Sequence, residues 1–287
     1  MKKRKAPDVN RPRVSWMHRL RRMFNPERSE PRLLDARCTE EEKATILDVD
    51  YERSRIQIKA TSRMERRYRA RACAKEPWTI EWLEREVRPG DALYDIGANV
   101  GVYSIIGAKL LRNRGAVIAF EPGYASYARL CENIALNGVP GLVVPFPLPL
   151  WSEAGIVSFK YRSLEPGQSR HRMWRNERSL SGEHEGGGAN VHPVVAVTLD
   201  QAIDVLKIPP PTLIKLDVDG AELHVLRGAL RTLARPDLRS LLIEIERKQT
   251  DAVVSLLADR GLSLTERHER APTRPVWYGV FRRNECA

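Results

Sequence analysis

The carboxylates of this chain that stand next to glycines are the residues best placed to do chemistry. Asp95-Ile96-Gly97-Ala98-Asn99-Val100-Gly101 follows the apolar Leu93-Tyr94 and leads into another apolar run. That order reads as a short strand, a tight turn and a helix, with an acid two residues ahead of the first glycine. One β-α-β unit later, Val117-Ile118-Ala119-Phe120-Glu121 repeats the pattern of a strand ending in an acid. A third instance is Ile214-Lys215-Leu216-Asp217-Val218-Asp219-Gly220-Ala221-Glu222, in which a strand ends at Asp217 and Glu222 falls in the first turn of a helix. In open α/β sheets the carboxyl ends of the strands face the ligand crevice, so all of these acids are expected along one edge.

The glycine spacing narrows the ligand. A dinucleotide site needs G-x-G-x-x-G, because its middle glycine lets the backbone approach a pyrophosphate. Here Asn99 stands two residues after Gly97, and the next glycine is Gly101, so no pyrophosphate cradle is formed. A cofactor with an amino-acid end and one adenosine fits better. Asp95 is able to help hold an ammonium, directly or through water. The turn at Gly97 lets backbone groups meet the aminoacyl part, and Glu121 offers two oxygens to two ribose hydroxyls. This is the layout of an S-adenosyl-L-methionine site, with Asp95, Gly97, Asn99, Gly101 and Glu121 as the cofactor-binding residues. Asp217, Asp219 and Glu222 are candidates for a general base, for hydrogen bonding to substrate, or for a metal. Glu222 alone is equally well read as an acid stabilised by the helix dipole. Glu244, at the end of a strand, is a candidate for the acceptor side. His184 and His192 lack ligand-like spacing, and no metal site is expected.

These residues need a scaffold of alternating strands and helices. Strands are expected at 92–96, 116–120, 142–146, 155–161, 193–198, 212–218, 239–246, 262–266 and 276–282, and helices at 100–111, 124–136, 199–206, 221–234 and 251–260. The continuous apolar runs at 213–216 and 241–243 suit central buried strands. The fold class is therefore α/β, a doubly wound, mostly parallel, seven-stranded sheet. Ahead of it lies a helical lead-in or cap over 41–90, in which Ile80, Leu83 and Val87 have helical spacing before Pro89-Gly90. The polar stretch 162–190, with its glycines, reads as a loop insertion suited to covering a substrate.

Composition sets outer bounds. The 287 residues carry a formal charge of +11, with 30% charged and 42% hydrophobic residues. A basic balance favours phosphate-rich partners, or marks an arginine-rich solvated surface. Residues 1–40 read as a basic, largely flexible extension. Within it, 13–24 place Trp16, Leu20 and Met23 at helical spacing among arginines, a pattern able to touch an anionic membrane peripherally or dock on a partner. No run approaches a membrane span, and the basic start has no apolar segment of a signal peptide behind it. Four scattered cysteines without a CxxC pair fit a reducing, cytoplasmic setting.

Taken together, Tyr94-Asp95-Ile96-Gly97-Ala98-Asn99-Val100-Gly101-Val102-Tyr103-Ser104, Ala119-Phe120-Glu121-Pro122, Asn133-Ile134-Ala135-Leu136-Asn137-Gly138 and Ile214 through Glu222 resemble the FkbM-type methyltransferases, a branch of the class I S-adenosylmethionine-dependent enzymes. Lys75-Glu76-Pro77-Trp78 and Leu242-Ile243-Glu244 are similar as well, so the resemblance covers about residues 75–265. It implies O-methylation of a small-molecule, sugar or glycan hydroxyl. By their chemistry Asp217 or Glu222 is able to take the proton, and His192 and His224 are weaker candidates, a lone histidine being more often structural or at the surface. Two other readings stay open: ribose methylation of RNA by way of the basic N-terminal region, and a scaffold that binds cofactor without turnover. A base amino-methyltransferase is disfavoured, because the prolines 209–211 precede the strand ending at Asp217 and the turn after it has none. A nicotinamide dehydrogenase is disfavoured by the glycine spacing. The acceptor and the oligomeric state are not written in the sequence.

Overall fold

The computed structural model describes residues 44–169, 171–175, 190–271 and 273–284. The basic segment 13–24 and most of the glycine-rich part of the 162–190 loop lie outside these residues.

The lead-in begins with a feature its sequence does not announce. β1 (Thr45–Asp48) and β2 (Gln57–Ala60) form an antiparallel hairpin. A π-helical turn, Glu65–Arg69, and α1 (Ala72–Lys75) follow, and then α2 (Pro77–Glu86) opens with a proline at its first position, where no N–H is needed. The lead-in shares one core with the rest: Ile56, Ile58, Trp82 and Leu83 cluster with Leu93, Ile105, Val117 and Leu130. The Trp82 indole also donates to Ser240 Oγ at 2.8 Å, tying α2 to the sheet.

The sheet elements then arrive in order. They are β3 (Ala92–Ile96), α3 (Val102–Leu110), β4 (Ala116–Phe120), α4 (Tyr124–Leu136) and β5 (Val143–Phe146). After an excursion the chain continues with α5 (Leu199–Leu206), β9 (Leu213–Leu216), α6 (Glu222–Arg227), α7 (Leu230–Leu233), β10 (Ser240–Glu246), α8 (Thr250–Ala258), β11 (Leu262–His268) and β12 (Val276–Arg283). Seven strands pair in the order β11-β12-β10-β9-β3-β4-β5, parallel except where β12 runs against both its neighbours. All five residues of β3 are buried, as expected for a strand covered on both faces. Alternate residues feed two cores: Leu93 and Val117 face the lead-in side, while Tyr94, Ile96, Ile118 and Phe120 face the other. From β3 the chain winds outward through β4 to β5, and β9 returns to the other side of β3. The topological switch point thus lies between β3 and β9.

Two expectations are corrected. The strands near 155–161 and 193–198 do not join the main sheet. They form β6 (Gly155–Lys160) and β8 (Val191–Ala196), which with β7 (Arg172–Trp174) make a separate antiparallel sheet ordered β7-β6-β8. Pro193 is tolerated because β8 is an edge strand. The 162–190 loop therefore contributes a strand of its own. The single helix expected over 221–234 is two: Asp200 of α5 accepts from the backbone N–H groups of Arg231 and Thr232, both at 2.9 Å, and caps α7 as a separate element.

Candidate active site

The carboxyl ends of β3, β4, β9 and β10 open into a cleft of about 1200 Å³. Its wall at the switch point is the turn after β3. The N–H groups of Gly97 and Ala98 both donate to the Phe120 carbonyl, at 2.9 and 3.0 Å, stitching this turn to β4. Gly97 has φ of +86°, and a Cβ on it would lie 1.8 Å from the Asp217 carbonyl oxygen, so β3 and β9 approach as closely as they do only because this residue is glycine. Asn99 lies in the left-handed region at φ of +52°. Its backbone N–H donates to Glu121 Oε2 at 2.8 Å, and its side-chain amide donates to the Gln168 carbonyl at 2.6 Å.

Glu121 is 5% exposed and lines the cleft. Its other oxygen accepts from the Gly123 N–H at 2.7 Å. Burial pushes its pKa up to about 7 against the pull of these two amides. Each carboxylate oxygen can accept twice, so both remain able to receive a ribose hydroxyl. Gly97, Asn99 and Glu121 are brought together on one wall. The other two residues expected to bind cofactor are not on it. Asp95 is 1% exposed and stands behind the turn, where Ser104 Oγ donates to it at 2.6 Å and Lys215 Nζ lies at 3.2 Å. A direct grip on an ammonium is replaced by a buried ion pair with Lys215, which faces Asp95 across the β3–β9 ladder. Gly101 starts α3 at φ of +90°, with its missing Cβ directed at Leu130 of α4, so it serves helix packing.

Asp217 and Asp219 line the cleft, with Lys215 Nζ 3.9 Å from Asp217. Glu222 does not line it. Its carboxylate is 1% exposed and turns back to accept from the N–H groups of Val218 and Gly220, at 3.0 and 3.2 Å. Burial pushes its pKa up to about 7. The expectation that Glu222 meets a substrate proton is therefore corrected: it holds the 217–220 loop in shape. His192 and His224 do not line the cleft either. His224 stacks on Trp151 with ring centroids 3.9 Å apart, beside a second cavity of about 330 Å³, and His192 sits against Tyr161.

Glu244 does line the cleft, and it accepts from the Tyr278 hydroxyl at 2.8 Å, its cross-strand neighbour in the β10–β12 ladder. Burial, with Asp217 and Glu222 nearby, pushes the Glu244 pKa up to about 9. Burial likewise drives the Tyr278 phenol far above its ordinary value. Sequence spacing gave no sign of Tyr278, Tyr103 or Glu76. Glu76 is 2% exposed at the start of α2, accepts from the Tyr103 hydroxyl at 2.8 Å, and pairs with Lys75 and Arg270. Burial would raise its pKa, but Lys75, Arg270 and Lys215 together hold it below the usual value. These residues come from sequence-distant elements, and only folding brings them to one place. Among the described residues, no group of three or more His, Cys, Asp or Glu is arranged to hold a metal ion.

The donor set of this wall fits S-adenosyl-L-methionine: a buried carboxylate at a strand tip, an open glycine turn beside it, and a cleft with room for a second molecule. Residues 95–264 match the family model described as the methyltransferase FkbM domain. The chain is 28% identical over 201 residues to the hexuronic acid methyltransferase AglP of Haloferax volcanii, covering 70% of this chain and 75% of the relative. It is 26% identical over 200 residues to the 31-O-demethyl-FK506 methyltransferase FkbM of Streptomyces tacrolimicus, covering 62% and 75%. Among solved structures, M. jannaschii TYW2 in complex with AdoMet aligns with a TM-score of 0.43 at 13% identity, over 85% of this chain and 88% of that one. With more than half its length matched by the family model, and with the strand-tip cradle in place, the chain belongs to the FkbM family of methyltransferases and its cofactor is S-adenosyl-L-methionine.

Proposed function

We propose that this methyltransferase acts on oxygen, at a hydroxyl of a sugar, glycan or natural product. The relatives whose names specify a hexuronic acid and an O-demethyl macrolide support that reading. The observation that carries it is the meeting, in one cleft, of Glu121 and the Gly97 turn with Asp217, Glu244 and Tyr278. S-adenosylmethionine supplies a methyl already activated on a sulfonium, so the protein's task is alignment and removal of a proton. Glu121 accepts the ribose hydroxyls. Asp217 takes the proton of the acceptor hydroxyl. The buried Lys215–Asp95 pair fixes Lys215 behind Asp217, and Glu222 keeps the backbone of the 217–220 loop from collapsing into the cleft. The Tyr278–Glu244 pair, uncharged at neutral pH, positions the acceptor oxygen. We place the reaction in the cytoplasm; the free Cys73 and Cys131 support a reducing compartment.

Calorimetry with S-adenosylmethionine tests the cradle. Glu121→Ala is expected to weaken binding roughly ten- to a hundredfold, the cost of a lost pair of charge-assisted hydrogen bonds, with the circular dichroism unchanged. Asp217→Asn is expected to keep cofactor affinity and to slow methyl transfer about 10²- to 10⁴-fold. Wild-type affinity in Glu121→Ala would refute the role given to Glu121.

A further inference from the structure

The cleft walls carry more arginine than their carboxylates pair with. Lys75 and Arg270 share Glu76, and Lys248 meets Glu246 at 2.9 Å. Arg69, Arg162, Arg172 and Arg274 also line the cleft, and among the described residues none of the four has a carboxylate partner. A guanidinium does not deprotonate in a protein, so these charges persist at every working pH. The acids of the cleft, which include Asp219 and Glu121, offset them only in part. Glu246 is already neutralised by Lys248, and Glu244, pushed up to about 9, keeps its proton at neutral pH. Asp217 has Lys215 behind it. S-adenosylmethionine brings a sulfonium and an ammonium against one carboxylate, so it adds positive charge to the cleft.

The arginines occupy two places. Arg69 belongs with Glu121 and His171: burial and the Arg69 charge together push the His171 pKa down to about 4. That is the ribose end. Arg270 and Arg274 belong to the other end, on the loop joining β11 and β12. Arg270 reaches Glu76, which also lies 3.5 Å from the Tyr278 hydroxyl. The Arg274 N–H closes a turn onto the Ala271 carbonyl at 3.0 Å, and Arg247, just past β10, donates from Nε to the Arg274 carbonyl at 2.8 Å. The loop backbone is thus pinned to the tip of the strand that carries Glu244, and the exposed Arg274 guanidinium, at the edge of the cleft, has no carboxylate partner among the described residues.

Resting on the methyl-transfer reading above, we propose that the acceptor is an anion, with a carboxylate or phosphate near the methylated hydroxyl, and that Arg274, with Arg270 beside it, holds that group. The planar fork of a guanidinium matches either oxyanion in a bidentate pair. The acceptor then completes the charge balance that cofactor and protein leave open, and a neutral sugar or macrolide of the same shape enters the cleft at a disadvantage.

The test begins with a nuclease-treated extract of small molecules and glycans from the producing cells, separated on an anion exchanger into retained and unretained pools. Each pool is incubated with the full-length protein and S-adenosylmethionine labelled in its methyl group. Label is expected in products of the retained pool, at least about tenfold above the unretained one. Arg274→Gln is expected to raise KM for that pool roughly ten- to a hundredfold while calorimetry finds its cofactor affinity unchanged, and Arg274→Lys to recover part of the loss. Added salt is expected to weaken transfer by the wild type more than by Arg274→Gln. Prior phosphatase treatment separates the sources: acceptor activity that disappears belongs to a phosphate, and activity that survives belongs to a carboxylate. Label confined to the unretained pool, or a wild-type KM in Arg274→Gln, would overturn the inference and leave methyl transfer standing. No label in either pool, with cofactor still bound, would remove the methyl-transfer reading itself.

Discussion

Three glutamates in and beside the cleft show how surroundings set the chemistry of one side chain. Glu76 is held below its usual value by Lys75, Arg270 and Lys215, Glu121 is raised to about 7, and Glu244 to about 9. For the raised pair, the folded-state value lies above the ordinary 4.5. Their contribution to stability is therefore full below that value and is lost as pH rises through the folded-state value. For Glu244 the loss extends from about 4.5 to about 9. Glu244→Gln keeps the shape and removes the titration, so it is expected to raise Tm by roughly 5 °C at about pH 8.5 and to leave it nearly unchanged at about pH 5. Thermal unfolding followed at both pH values checks this, and equal shifts would show that Glu244 ionises freely. Asp95 carries the opposite lesson. Its position ahead of Gly97 marks a strand tip, but spacing alone does not reveal that its carboxylate is taken by Ser104 and Lys215. Those partners sit nine and 120 residues further along the chain.

Among the elements, the lead-in is the one whose role the sequence concealed. Its edge strand β2 is fastened by two side-chain amides one turn apart, Asn133 on α4 and Asn137 at its C-terminal cap. Asn133 accepts from the Lys59 N–H at 2.8 Å, and Asn137 both accepts from the Gln57 N–H and donates to its carbonyl, at 2.9 and 2.7 Å. The asparagines thus do the work of a neighbouring strand, which explains the Asn133-Ile134-Ala135-Leu136-Asn137 pattern. Arg129, on the same helix, donates to Glu65 at 2.6 Å and to Thr61 Oγ1 at 2.9 Å. Glu65 is fully buried and also caps the N–H groups of Thr61 and Ser62. The turn so fixed presents Met64, Tyr68 and Arg69 to the cleft. Arg129→Ala leaves Glu65 buried without its cation, a cost of about 3–5 kcal/mol. Hydrogen exchange is expected to rise across 57–70 and to stay slow in β3, β4 and β9, with weaker cofactor binding; uniform loss of protection would mean the lead-in and the sheet unfold as one unit. The strands of the second sheet were legible as strands, because apolar alternation is local. Their exclusion from the main sheet was not, because pairing partners are chosen in three dimensions.

For the molecule as a whole, the described residues that line the large cleft fall between Met64 and Tyr278. Deleting residues 1–35 is therefore expected to leave the S-adenosylmethionine Kd within about twofold of the full chain, by calorimetry; a large loss would place part of the site in the basic extension. The formal charge of +11 is a property of the entire chain, whereas the proposed acceptor would meet only the excess of arginine at the cleft. No helix of the described residues is long and apolar enough to cross a membrane. By itself, the sequence determined the mostly parallel seven-stranded sheet, the glycine turn after β3 and the acids at three strand tips, since each depends on neighbours within one β-α-β unit. Only the tertiary structure decided which acids face the cleft. It turned Asp95 and Glu222 inward, brought Glu76, Glu244 and Tyr278 together, and placed Arg274 on the lining of the same cleft. Burial and charge pairing depend on groups brought into contact across the whole fold, and no spacing along the chain encodes those distances.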